Sequence, residues 1–194
     1  MRKLYLFLSL SIDGRFEGAN HDISWHHIDD ETNKFALEQL RQTDLYLWGR
    51  RVYQLMEGYW PMAEENPSTS VDDREIAHLL NTTKKIVYSR TLASAQESGK
   101  WRNVVLARDV DVGEIKRLKD LPGKDIGVGG SNLAVTLLKA GLIDELRFMI
   151  IPVVVGEGTT VFSGFDDKHE LELLETRKFA SGNVLVRYRP KSVT

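Results

Sequence analysis

The segment Gly129-Gly130-Ser131-Asn132 follows the short strand-like run 125–128 and precedes a helix-periodic segment at 133–140. Glycines in such a place let backbone N–H groups approach an anion, and the dipole of the following helix adds positive potential. The third glycine of a Rossmann fingerprint, and its acidic residue about 20 positions further on, are absent. The segment therefore predicts a phosphate cradle of another kind, with a simple tight turn as the alternative.

Arginines follow two other strand-like runs. Gly49-Arg50-Arg51 comes after 45–48, and Ser89-Arg90 comes after 85–88. Guanidinium groups bind phosphate oxygens in a bidentate manner, although adjacent arginines are more often simply solvated. Ligands of open α/β sheets collect at the carboxyl ends of the strands, so the three segments are predicted to converge on one cleft. Three anion-suited segments fit a dinucleotide, and two arginine-bearing ones fit NADPH, with its 2′-phosphate, better than NADH.

Strand-like runs alternate with helix-periodic segments along most of the chain. This pattern predicts a single α/β domain over 1–194 with three α/β/α layers, a mostly parallel central sheet and antiparallel strands at one edge. A polar loop is expected after Asp13-Gly14, a turn at 58–61, a helix cap at Asp72 or Asp73, and a C-cap at Gly141. The predicted strands are 3–11, 45–48, 85–88, 104–106, 125–128, 145–151, 153–155, 171–178 and 184–189, and the helices are 29–41, 51–57, 72–80, 112–119 and 133–140.

Composition excludes several classes of protein. The chain has 42% hydrophobic and 28% charged residues, which is typical of a globular enzyme. Its formal net charge of −2 and interspersed signs give no basic stripe, so a nucleic-acid partner is not expected. The absence of cysteine favours the cytoplasm, and no apolar run is long enough for a membrane span. The apolar run 4–12 after Arg2-Lys3 imitates a signal peptide, but Asp13-Gly14 ends it as a turn ends a buried strand.

These segments resemble dihydrofolate reductases, and more closely the C-terminal reductase domain of bifunctional riboflavin deaminase-reductases and its stand-alone relatives. The resemblance covers essentially the whole chain. It rests on Gly49-Arg50-Arg51-Val52-Tyr53, Ser89-Arg90, Gly129-Gly130-Ser131, Ser11-Ile12-Asp13-Gly14, 141–147 and 151–158. It departs at Val52, where many dihydrofolate reductases have threonine, and the zinc deaminase signature is absent.

The resemblance implies site residues on the substrate side. Asp30 falls at the family's spacing after Trp25, which makes it the first choice for a substrate-facing catalytic carboxylate, although helix capping would also select an acid there. Asp13 is the competing catalytic acid. Trp25 and Glu157 are candidate substrate contacts. The resemblance also implies a homodimer in which the region 153–158 meets the second subunit. No spacing among the histidines indicates a metal site.

We therefore expect an NADPH-dependent reductase that transfers hydride to a small heterocyclic or imine-type molecule. Candidate substrates are the ribosylaminopyrimidine of riboflavin biosynthesis and a dihydrofolate or other pterin. The alternatives are a non-catalytic nucleotide- or pterin-binding protein of the same fold and a helper subunit that binds the cofactor only with a partner.

Overall fold

The computed structural model describes residues 1–95, 101, 103–166 and 168–191. Its strands are β1 (Leu4–Ser11), β2 (Arg15–Gly18), β3 (Thr43–Gly49), β4 (Lys84–Tyr88), β5 (Val104–Ala107), β6 (Asp125–Gly129), β7 (Glu145–Ile151), β8 (Gly158–Thr160), β9 (Leu171–Lys178) and β10 (Val184–Pro190). Within the described residues, eight of them form one sheet in the order β5-β4-β3-β6-β1-β7-β10-β9, and β2 pairs with β8 in a small second sheet.

Helices cover both faces of the large sheet. They are α1 (Asp30–Arg41), α2 (Arg50–Glu57), α3 (Trp60–Ala63), α4 (Val71–Thr82), α5 (Val112–Asp120) and α6 (Ser131–Lys139). Buried side chains of α1, α2 and α4 pack with one another on one face, and those of α5 and α6 pack on the other. The predicted three-layer α/β/α fold is confirmed. No helix in the described ranges is long and apolar enough to cross a membrane.

The six strands from β5 to β7 run parallel, and β10 and β9 then add in antiparallel fashion. Strand β1 lies in the interior, where Leu6 pairs with Val128 of β6 and with Leu146 of β7. A strand covered on both faces needs apolar residues at successive positions, which explains the unbroken apolar run at the start of the chain. The predicted antiparallel edge is confirmed.

Three local predictions were wrong. Residues 153–155 form no strand, because Val153 donates to the Ile151 carbonyl and accepts from the Ile12 amide instead of joining a ladder. The polar loop after Gly14 contains β2, which pairs with β8 about 140 residues later in the chain. Ser70, rather than Asp72 or Asp73, caps α4, since its hydroxyl accepts from the Asp73 amide.

The segment 58–61, expected as a turn, overlaps the short helix α3. Pro61 lies in the first turn of α3, where its missing N–H costs no helical hydrogen bond. Gly141 follows Ala140, the C-cap of α6, and has the left-handed backbone that we predicted at this helix end, with a φ of 66°.

Lys85 of β4 is fully buried. Its ammonium donates to the carbonyls of Leu80 and Thr83 and lies 4.4 Å from the centroid of the Trp101 ring. Burial lowers the pKa of Lys85 to about 7, because the apolar surroundings disfavour the charged form. Folding therefore fixes an amine that loses its proton far more easily than it does in the unfolded chain.

This lowered pKa predicts a pH-dependent stability. Between pH 7 and about 10 the unfolded chain holds a proton on Lys85 that the folded chain has released, so stability rises with pH in this window. We expect the free energy of unfolding of the wild type to increase by roughly 1–4 kcal/mol relative to Lys85→Met across the window. Urea unfolding at several pH values measures this, with exposed Lys84→Met as control. Parallel pH profiles for the wild type and Lys85→Met would contradict it.

Candidate functional site

The carboxyl ends of β4, β3 and β6 lie side by side. In the register of the sheet, Gly49 pairs with Tyr88, and Trp48 pairs with Gly129. The chain leaves β3 towards β4 and leaves β6 towards β7, so the two connections diverge at the β3/β6 boundary. Such a switch point is where open α/β sheets bind ligands. The three predicted segments therefore follow neighbouring strands at the same edge of the sheet.

The two helices that start at this boundary have no side-chain caps. Gly49 is the N-cap of α2 and Gly130 the N-cap of α6, and neither position supplies a capping hydrogen bond from a side chain. In contrast, Asp29, Ser70 and Asp111 accept backbone hydrogen bonds at the starts of α1, α4 and α5. The first N–H groups of a helix lack partners within it, so those of α2 and α6 remain available to an anion.

The glycines at this boundary have different roles. A Cβ on Gly129 would lie 2.7 Å from Cδ1 of Trp48 and 3.0 Å from Cγ1 of Val52, so this position is fixed by packing. A Cβ on Gly130 would meet no atom closer than 3.5 Å, the backbone nitrogen of Gly49. Gly130 has a φ of 106°, which a side chain would strain. Gly130 thus brings the backbone into contact with the start of α2, beside the uncapped first amides of α6.

The three predicted cofactor-binding arginines have different surroundings. Arg50 is exposed and makes no ion pair with any residue that the structure describes. Nη2 of Arg51 lies 3.5 Å from Oε2 of Glu17. Arg90 pairs with Asp109 at the surface, where both side chains are mostly exposed. An exposed pair of this kind is weak, so Arg90 can exchange Asp109 for a ligand phosphate at little cost.

The remaining predicted cofactor residues are hydroxyl and amide side chains. Ser89 is buried, and its hydroxyl accepts from the Thr91 and Leu92 amides at 3.2 and 2.9 Å, so it holds the turn after β4. Ser131 and Asn132 form the first turn of α6, where Ser131 is half-buried and Asn132 exposed. We predict that Ser89 contacts a ligand, and that contact would compete with the hydrogen bonds by which its hydroxyl holds the turn.

On the other side of the edge, Asp13 joins the ends of β1 and β7. Its carboxylate accepts from the Val155 amide at 3.0 Å and from the Gly156 amide at 2.8 Å. These hydrogen bonds, led by that from Val155, lower the pKa of Asp13 to about 2. The group is therefore ionised at neutral pH and is suited to fixing the loop after β7, whereas a proton donor needs a pKa nearer the working pH.

Asp30 is exposed at the first position of α1, and the capping role belongs to its neighbour. Asp29 accepts from the Thr32 amide at 2.8 Å, and these hydrogen bonds lower the pKa of Asp29. The β9–β10 turn holds this helix start at the carboxyl edge, since the Ala180 amide donates to Glu31 at 2.8 Å. Asp30 is therefore not the N-cap, but as an acid in the first turn of α1 it also compensates the helix dipole.

Trp25 and Glu157 lie on the same side of the site. Trp25 is half-buried against a cluster that includes Phe35 and Ile151, and its indole donates to the Asp22 carbonyl at 3.1 Å. This packing anchors Trp25 in the segment before α1. Glu157 is exposed in the loop between the end of β7 and β8. The structure therefore groups the substrate-side candidates at the ends of β1 and β7, beside the predicted cofactor side.

Residues 2–185 match the RibD C-terminal domain family. This chain belongs to that family. It is 34% identical over 188 residues to the uncharacterized protein YyaP of Bacillus subtilis, with 96% of this chain and 94% of YyaP covered. The fold is similar to that of a putative riboflavin biosynthesis protein from Shewanella sp. PV-4, with a TM-score of 0.71, 17% identity, and 98% and 99% of the two chains covered. It is also similar to a dihydrofolate reductase from Enterococcus faecalis complexed with NADP(H), with a TM-score of 0.62, 17% identity, and 98% and 97% covered.

One charged residue of this RibD C-terminal domain was missed by the sequence analysis. Glu17 of β2 is buried beside Arg51, although it stands in a segment that we expected to be a polar loop. Only the pairing of β2 with β8 shows its position, and that pairing joins parts of the chain too distant for a local pattern to reveal. The described residues contain no group of three or more His, Cys, Asp or Glu side chains that could hold a metal ion.

Proposed function

We propose that this RibD C-terminal domain is an NADPH-dependent reductase that transfers hydride to a small heterocyclic or imine-type substrate. The observation that carries the proposal is the pair of glycine-capped helix starts, α2 and α6, at the boundary between β3 and β6. Two open helix starts with arginines beside them suit a ligand that carries several phosphates. We further propose a single cytoplasmic domain over 1–194 that forms a homodimer.

The residues on the cofactor side would bind NADPH and orient it. The amides of Ser131 and Asn132 at the start of α6, which follows Gly130, would hold the pyrophosphate. Arg50, Arg51 and Arg90 would bind the 2′-phosphate, for which their guanidinium groups offer bidentate hydrogen bonds. NADPH, when bound, supplies the hydride.

The substrate side orients the acceptor and handles the proton. The exposed carboxylate of Asp30 would hydrogen-bond the ring or imine nitrogen that gains a proton, and Trp25 would form a wall of the pocket. Asp13, ionised and held by the Val155 and Gly156 amides, would position the loop that carries Glu157. Substrates of this chemistry include 5-amino-6-(5-phosphoribosylamino)uracil of riboflavin biosynthesis and dihydrofolate or another pterin.

A substrate panel tests the reaction. We expect oxidation of NADPH, followed by the loss of its reduced-nicotinamide absorbance, with at least one imine or pterin substrate. Saturable NADPH binding without turnover of any panel member would favour the non-catalytic binding protein instead. The packing of Val52 against Gly129, in place of a threonine hydroxyl at the phosphates, is the observation that favours this second candidate.

Cofactor preference is a separate prediction. We expect NADPH to bind at least about fivefold more tightly than NADH, because a charged hydrogen-bonded contact contributes on the order of 1 kcal/mol or more. Isothermal titration calorimetry with both dinucleotides measures the ratio. Arg50→Gln should lower this ratio, whereas Arg74→Gln in α4, away from the glycine-capped helix starts, should not change it. Equal affinities of the wild type for NADPH and NADH would show that the arginines do not bind the 2′-phosphate.

A further inference from the structure

A buried carboxylate lies at the junction of the small sheet and the cofactor side. Glu17 is only 8% exposed. Its Oε1 accepts from the Thr159 hydroxyl of β8 at 2.8 Å and lies 3.1 Å from Nδ1 of His21. A carboxylate removed from water requires compensating partners, and these two side chains hold it in one place.

The other oxygen of Glu17 faces Arg51. The distance from Oε2 to Nη2 of Arg51 is 3.5 Å, which is an ion pair longer than a good hydrogen bond. The Arg51 side chain is 56% exposed, while that of Glu17 is 10% exposed. Arg51 can therefore leave the pair and reach a ligand, whereas Glu17 cannot follow it.

The backbone beside Glu17 is strained. Asn20 and His21 have φ values of 55° and 64°, in the left-handed region that non-glycine residues rarely adopt. Strain of this kind persists where the surrounding structure imposes it and is concentrated at functional sites. Here it accompanies the short distance between the His21 imidazole and Glu17, so Glu17 keeps a second partner when Arg51 moves away.

We propose that Glu17 is a specificity-determining residue that competes with the cofactor's phosphates for Arg51. The inference rests on the proposed function, because it takes the start of α2 to be a phosphate site. A phosphate that binds Arg51 must take this guanidinium from its ion pair with the Glu17 carboxylate, so the cost of breaking that pair is subtracted from the binding free energy. Glu17 thereby lowers the affinity for every ligand that uses Arg51, and Arg50 carries no such competitor among the described residues.

Competition of this kind favours ligands that carry more negative charge. A singly charged ligand gains little by replacing the carboxylate, because Arg51 only exchanges one monoanion for another. A phosphate group with close to two negative charges gains more from the same guanidinium. The buried carboxylate thus favours phosphorylated ligands over carboxylates and keeps their affinity moderate, which permits release after turnover.

A double-mutant cycle tests the proposal. NADPH, NADH and inorganic pyrophosphate are titrated into the wild type, Glu17→Gln, Arg51→Gln and the double variant. Removing the carboxylate charge should tighten NADPH binding by about fivefold or more in the presence of Arg51, with no gain in the Arg51→Gln background. A larger gain for NADPH than for NADH assigns Arg51 to the 2′-phosphate, and equal gains assign it to the pyrophosphate.

Controls separate this inference from the proposed function. Glu75→Gln removes the same charge from an exposed pair with Arg41 and should leave all three affinities unchanged. Glu17→Met, of similar length and without charge, provides a second variant should the buried glutamine disturb folding. If no variant binds NADPH, the proposed function falls, while tighter pyrophosphate binding by Glu17→Gln still supports the competition. The competition would be overturned if Glu17→Gln left the affinities for NADPH and pyrophosphate unchanged, or if the gain in affinity persisted without Arg51.

Discussion

Replacing Gly130 by aspartate is expected to weaken NADPH binding by on the order of 100-fold, which corresponds to about 2.7 kcal/mol. The side chain would start in contact with the Gly49 backbone, 3.5 Å from its nitrogen, and place a carboxylate near the starts of α2 and α6. It would occupy the phosphate position and repel the ligand. Calorimetric titration of NADPH measures the loss.

Asparagine at the same position is the matched control. Gly130→Asn has the same shape as the aspartate variant and carries the same strain at a φ of 106°, but it has no charge. We expect it to retain clearly more affinity than Gly130→Asp, with similar melting temperatures for the two. Equal NADPH affinity in all three proteins would place the pyrophosphate elsewhere. Gly129 offers no such test, because a Cβ there collides with Trp48.

Asp30→Asn is expected to lower turnover by about a hundredfold, the contribution typical of a positioned acid or base. NADPH affinity should stay within about twofold, because the proposed role of Asp30 is to contact the substrate rather than the cofactor. The melting temperature should be preserved, since Asp29 supplies the N-cap of α1 through its bond to the Thr32 amide. Steady-state kinetics with the best substrate of the panel, together with thermal unfolding, measures both effects.

Asp13→Asn distinguishes the two acids. An asparagine can accept only one of the two hydrogen bonds from Val155 and Gly156 with its carbonyl oxygen, so the loop after β7 should loosen. We expect a raised KM for the substrate with a smaller loss of kcat. Normal turnover by Asp30→Asn together with a large loss of kcat in Asp13→Asn would reverse the roles that we assign. If neither variant loses rate, the proton comes from water.

Local patterns were sufficient to predict most of the fold. Strand β1 is an unbroken apolar run, which predicts a strand covered on both faces, and β1 is indeed buried between β6 and β7. The glycines at 129–130 lie between a strand and a helix, and the structure places them at the β3/β6 boundary. These features depend on residues close together in the chain or on general rules for parallel sheets.

Long-range pairing could not be predicted in the same way. The strand expected at 153–155 was wrong because Ile12, in a turn far away in the chain, takes the Val153 carbonyl. Glu17 was overlooked because β2 is four residues long and its partner β8 is three. The pair between Glu17 and Arg51 likewise joins two segments that nothing in their own composition connects.

The place of β1 in the sheet also bears on the order of folding. Strands β3, β4 and β5 pair with one another and follow in order along the chain, so they can associate early during synthesis. Both partners of β1 come from residues 125–151, so this apolar strand can take its place in the sheet only after those residues have been synthesised. Until then its backbone amides and leucines lack their sheet partners, and unpaired apolar strands of this kind are prone to aggregate.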